Sequence, residues 1–106
     1  MLDVEKLRQE REKAFDVWFD RWWKREDVEQ KIKISNYQGY TGYILVLDDY
    51  SKYEQSRMYK DRFLLKLQEM LPNFRVEYKC SKSILTKREY IHGITINWEI
   101  SKSENL

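Results

Sequence analysis

The sequence predicts a mixed α/β (α+β) domain, and three observations carry the prediction. The first thirty residues form an amphipathic stretch free of Gly and Pro, a second helical stretch lies between Ser51 and Leu71, and from Phe74 the apolar period changes to two. The predicted order is α-β-α-β-β, with two helices packed on one face of a three- or four-stranded mixed sheet that ends in an antiparallel hairpin. A chain of 106 residues fits one domain, 1–106, made of a long helix over 2–30, a core over 31–100 and a frayed tail over 101–106.

In the N-terminal helix, Val4, Leu7, Ala14, Phe15, Trp18, Phe19 and Trp22 share a face, and Asp3 is placed to cap the first turn. The apolar stripe is thin in its first three turns, where Arg11 shares the face, and dense between Phe15 and Trp23. The dense half is the part that docks; the first turns overhang or pair with a partner. At 1.5 Å per residue a helix over 2–30 runs about 40 Å, longer than the ~26–30 Å expected of such a domain. A break between Lys24 and Asp27 relieves this, because Arg25, Glu26 and Glu29 fall on the apolar face beyond Trp22.

Lys31–Ser35 alternates at Ile32 and Ile34 and reads as a short edge strand, followed by a loop over Asn36–Gly42. The apolar run Tyr43-Ile44-Leu45-Val46-Leu47 has the pattern of a strand buried on both faces and is placed at the centre of the sheet. Ser51-Lys52-Tyr53-Glu54 matches a capping box. The helix after it presents Tyr59, Phe63, Leu64, Leu67, Met70 and Leu71 to the core and stops at Pro72-Asn73. Then Phe74, Val76, Tyr78 and Cys80 point inward, and Arg75, Glu77, Lys79 and Ser81 outward. Tyr90–Ile100 repeats the pattern with Ile94, Ile96, Trp98 and Ile100 inward and Thr95, Asn97 and Glu99 outward. These two strands pair as a hairpin looped within Lys82–Glu89, and a right-handed crossover joins Tyr43 to Tyr78.

Composition narrows the function classes. With 42% apolar, 36% charged and 15% aromatic residues the chain is too aromatic for disorder. The longest apolar run is far short of the roughly 20 residues of a membrane span, which points to a cytoplasmic protein. One cysteine, Cys80, and one histidine, His92, supply neither a disulfide nor a zinc site, and no cofactor motif is present. The net charge of +2 resides in residues 74–106, since the two preceding thirds are balanced.

Gly (3), Pro (1) and Ala (Ala14 alone), all with GC-rich codons, are scarce, whereas Lys, Ile and Tyr are abundant. In size and composition the chain resembles small accessory proteins of phages that infect low-GC Gram-positive bacteria. The resemblance implies an accessory, inhibitory or anti-defence role.

Asp48-Asp49 with Glu77-Tyr78-Lys79 resembles the acidic residue and E-x-K set of metal-dependent nucleases. A helix intervenes between the two strands, however, and two aspartates leading into a helix N-terminus are explained by the macrodipole. His92 and Cys80 read as half-buried and buried strand residues. Arg75, Lys79, Lys82, Lys87 and Arg88 outnumber the single Glu77 over 75–88, giving a basic hairpin able to track phosphates, with Tyr78 or Tyr90 available for stacking if exposed. Trp23, about 100° off the apolar stripe, is a candidate interface anchor, as is the Val4–Leu7 turn.

The leading expectation is therefore a non-enzymatic protein that binds one protein or protein–nucleic acid partner through Trp23, Val4, Leu7, Arg75, Lys79, Lys82, Lys87 and Arg88. A nucleic-acid-binding module acting through the hairpin comes second, and a metal-dependent nuclease a distant third. Monomer and homodimer are equally compatible with the thin seam at Val4, Leu7, Arg11 and Ala14.

Overall fold

The computed structural model describes residues 1–99; Ile100 and the tail 101–106, expected to face inward and to fray respectively, lie outside them. The fold is α+β in the predicted order, with each helical stretch divided in two. Its elements are α1 (Val4–Glu26), α2 (Val28–Tyr37), β1 (Gly42–Val46), a 3-10 turn (Leu47–Asp49), α3 (Lys52–Met58), α4 (Asp61–Met70), β2 (Arg75–Lys82) and β3 (Glu89–Asn97). Two compact units are distinguished, Met1–Gln30 and the chain from Lys31 onward. No helix among the described residues is long and apolar enough to cross a membrane.

In the first unit Asp3 caps α1 as expected, its carboxylate accepting from the Glu5 N–H at 3.0 Å. Phe15, Phe19 and Trp22, spaced four and three residues apart, are buried, whereas residues 1–14 are all exposed. Phe15 packs on Trp18 and Phe19 on Trp22 with ring centroids 5.7 and 5.9 Å apart. The helix ends at Glu26 because Asp27 turns left-handed (φ 46°, ψ 57°), its N–H still donating to the Trp23 carbonyl at 3.2 Å. Asp is among the few residues other than Gly that visit this region readily. The continuous helix over 2–30 is thus replaced by two, divided within the stretch where charges would have entered the apolar face.

The expected strand at Lys31–Ser35 is helical instead. Ile32 and Ser35 are buried while Ile34 is 48% exposed, a spacing of three that a strand cannot produce. Two isoleucines in alternation were too short a pattern to outweigh the helical period of the whole segment. The Ser35 hydroxyl donates to the Gly42 carbonyl at 3.0 Å and ties α2 to the start of β1.

Among the described residues the sheet has three strands in the order β1-β3-β2, and both neighbouring pairs are antiparallel. This corrects two expectations. The sheet is antiparallel rather than mixed, since β1 and β2 run in the same direction but β3 lies between them. β1 is an edge strand and β3 the centre. Only Leu45 of β1 is buried, with Tyr43, Ile44 and Val46 half-buried. Ile44 finds apolar cover on its outer face by lying over Gly93 of β3, where a Cβ would come 3.2 Å from its Cγ1 and Cδ1. An apolar run can therefore sit at an edge when its neighbour supplies a glycine.

The second expected helix divides at Tyr59-Lys60. Ser51 caps α3, its hydroxyl accepting from the Glu54 N–H at 3.2 Å. Lys60 is extended and opens α4. Phe63, Leu67 and Leu71 are buried as expected, but Tyr59 and Met70 are 41% and 44% exposed, because the break rotates Tyr59 off the stripe and Met70 ends the last turn. Leu45, Leu47, Met58, Val76, Ile94 and Ile96 are the further buried apolar side chains of this unit among the described residues. Gln68 donates to the Leu71 and Phe74 carbonyls at 2.9 and 2.8 Å, so one side chain closes the turn from α4 into β2.

Tyr78 of β2 satisfies the helix division. Its hydroxyl lies 3.1 Å from the Met58 carbonyl and 2.8 Å from the Lys60 carbonyl, which also accepts from the Phe63 N–H, so one phenol proton is shared across the break between α3 and α4. Burial first, then the nearby Asp61 carboxylate, pushes this phenol up from 10 to about 12. The folded chain thus holds the proton more tightly than the unfolded one. The stabilisation is complete below about pH 10 and is lost as pH rises toward 12. We expect Tyr78→Phe to cost about 1–2 kcal/mol at neutral pH. In urea melts the gap to the parent chain should narrow above pH 10; a gap that is constant from pH 7 to 11 would show that the hydroxyl does not hold the break.

Candidate functional site

The part of the second unit with least cover is the far end of the β2–β3 hairpin. From Arg75↔Asn97 to Lys79↔Gly93 the strands pair residue for residue; the register then moves to Cys80↔Ile91, leaving His92 as an extra residue on β3. Tyr78 is the last β2 side chain held by the helices, and beyond it Lys79, Cys80 and Lys82 are exposed. Cys80, expected to be buried, is exposed although its place in the alternation is inward; it sits at the register shift between Lys79 and Cys80.

The turn at the tip is closed by its own hydrogen bonds. The Ser83 N–H donates to the Arg88 carbonyl at 3.0 Å and the Lys87 N–H to the Ser83 carbonyl at 2.8 Å. The Ser83 and Thr86 hydroxyls accept from the Thr86 and Arg88 N–H groups, both at 3.4 Å. Lys87 takes the left-handed conformation (φ 57°) that lets the chain return. This arrangement leaves Ile84 and Leu85 at the apex, each 94% exposed. Lys82, Lys87 and Arg88 surround them in sequence, and Lys79 lies further down β2.

The other expected site residues are dispersed. Val4 and Leu7 are 62% and 46% exposed on the first turns of α1. Trp23 is half-buried and stacked on Phe19 at 6.4 Å, so only part of its ring is open to a partner. Arg75 is paired with Glu77. Of the two tyrosines considered for stacking, Tyr78 is committed to the helix break and Tyr90 is 51% exposed.

Arg75, Glu77, Lys79, Thr95 and Asn97 line the sheet face opposite Tyr78, as the alternation predicts, and with Gly42 and Ile44 they border a shallow groove of about 430 Å³. Asp48 and Asp49 are exposed in the 3-10 turn after β1, separated from β2 by β3. No three His, Cys, Asp or Glu side chains among the described residues gather in a way that could hold a metal ion.

Sequence reasoning found the cations of the hairpin but not its apex. Two adjacent apolar residues inside a polar loop between alternating strands were the available signal for Ile84 and Leu85. It also passed over Gly93, whose position inside a strand pattern is a known mark of a bulge or a close backbone approach; both occur here. No protein-family model, curated protein or solved structure matches the chain.

Proposed function

We propose that the chain is a non-enzymatic binding protein, in kind a small phage-type accessory or inhibitory protein, and that the β2–β3 hairpin is its principal contact with one macromolecular partner. The observation behind this reading is the apex: two fully exposed aliphatic side chains on a turn held by four hydrogen bonds of its own. Exposed apolar residues rimmed by polar ones mark interaction sites, and a preordered turn loses little conformational entropy when it docks. Val4 and Leu7, exposed on α1, form a second surface for the same partner.

The test compares tagged parent chain with Ile84→Ser/Leu85→Ser in pull-downs from lysate of a low-GC Gram-positive host, with and without nuclease, read by mass spectrometry and nucleic-acid staining. The expected result is one near-stoichiometric macromolecule held by the parent and lost by the variant. Identical sets retained by both chains would sink the reading.

A further inference from the structure

We infer that the partner of the hairpin is duplex nucleic acid, with Lys79, Lys82, Lys87 and Arg88 following the phosphates and Ile84 and Leu85 acting as an apolar wedge at the base steps. The inference rests on the binding reading above and names the class of partner.

Charge is the first argument. Over 75–88 five cations face one carboxylate, Glu77, which is itself paired with Arg75. No ion pair among the described residues involves Lys79, Lys82, Lys87 or Arg88. The next carboxylate, Glu89, lies across from Lys82 and leaves the surplus cationic. Four uncommitted cations on an ordered arm complement a polyanion.

Shape decides which polyanion. A membrane surface is a plane, and a hairpin can offer it only the apex with Lys82, Lys87 and Arg88. The cations here continue down the strand to Lys79, and by the alternation of β2 Lys79 and Lys82 fall on opposite faces of the ribbon. Cations on both faces of one arm make a double track, suited to a duplex groove walled by phosphates on either side. Two-stranded ribbons enter either groove, and from the minor groove apolar side chains are the wedges by which proteins unstack base steps. The apex presents two such side chains already exposed, on a turn that needs no rearrangement. Tyr90, half exposed across from Ser81, adds a ring and a hydroxyl beside the track.

The experiment is a fluorescence-anisotropy titration of the full chain against a labelled duplex of about 20 base pairs between about 50 and 200 mM salt, with a donor–acceptor pair on the duplex ends to read bending. The expected slope of log K against log salt is about −3 to −4. Lys82→Ala/Lys87→Ala/Arg88→Ala should flatten it by about three units, and Ile84→Ser/Leu85→Ser should weaken binding about tenfold and abolish the bend while keeping the slope. All five positions lie on or beside the exposed turn, and circular dichroism confirms that the variants fold. Absence of duplex binding, an unchanged slope in the triple variant, or unchanged affinity and bend in the wedge variant would each overturn the inference. So would saturable, tip-dependent binding to phosphatidylserine vesicles without duplex binding. If the titration fails while tip-dependent retention from lysate persists, the nucleic-acid assignment falls and the binding reading stands.

Discussion

Gly93→Val should cost more than about 3 kcal/mol and release β1 from the sheet. A Cβ at this position would lie 2.6 Å from the Leu45 carbonyl oxygen, a backbone atom that cannot swing away, and 3.2 Å from the Ile44 side chain. Leu45 pairs with Ile94 in the central strand, so displacing its carbonyl breaks the ladder by which β1 is attached. Ile44, Leu45 and Val46 would then lose their cover together. Gly42→Ala is the internal control, since its Cβ meets the Ile96 carbonyl at 3.3 Å, a contact that a few tenths of an ångström relieves. Urea denaturation of both variants checks the ranking. Equal stabilities would mean that the close approach at Gly93 is not what seats the edge strand.

Phe63→Ala should lose about 3–5 kcal/mol, a large part of the 5–15 kcal/mol typical of a small domain. Phe63 is fully buried in the first turn of α4, in a core it shares with Leu67, Met58 and the inward residues of the sheet, so truncation leaves a cavity. Met70 lies on the same predicted stripe but is 44% exposed, and Met70→Ala should cost under about 1 kcal/mol. Matching urea melts separate the two. Similar losses would imply that the helical stretch is continuous and that both residues face one core, as the sequence alone suggests.

Part of the candidate site is legible in the sequence alone. Lys79, Lys82, Lys87 and Arg88 stand out as a charge run, and their position on a hairpin follows from the alternation on either side. What charge and period do not encode is accessibility. Cys80 keeps the parity of a buried residue and is exposed, whereas Tyr78, two residues earlier, is held by its hydroxyl on the Met58 and Lys60 carbonyls. Ile84 and Leu85 belong to no period, so nothing local distinguishes an exposed apex from a loop folded back on the core. Trp23 shows the opposite error: its angle off the stripe suggests exposure, but its ring stacks on Phe19.

By itself the sequence determined what depends on interactions a few residues long. These are the Asp3 and Ser51 caps, the buried aromatic half of α1, the buried stripe of α4 and the β2–β3 hairpin, each specified by hydrogen bonds or side-chain periods within one element. The tertiary structure decided what requires a choice between distant partners. An apolar strand such as β1 satisfies the same local pattern at the centre or the edge; here it takes the edge beside β3, with Ile44 lying over the glycine at position 93, far along the chain. A helix from Ser51 to Leu71 has no local reason to stop at Tyr59. The division is met there by the Tyr78 hydroxyl, twenty residues from Met58, which reaches the Met58 and Lys60 carbonyls. Local energies choose helix or strand, and the pairing of buried polar and apolar groups across the fold chooses where each element ends and which neighbour it takes.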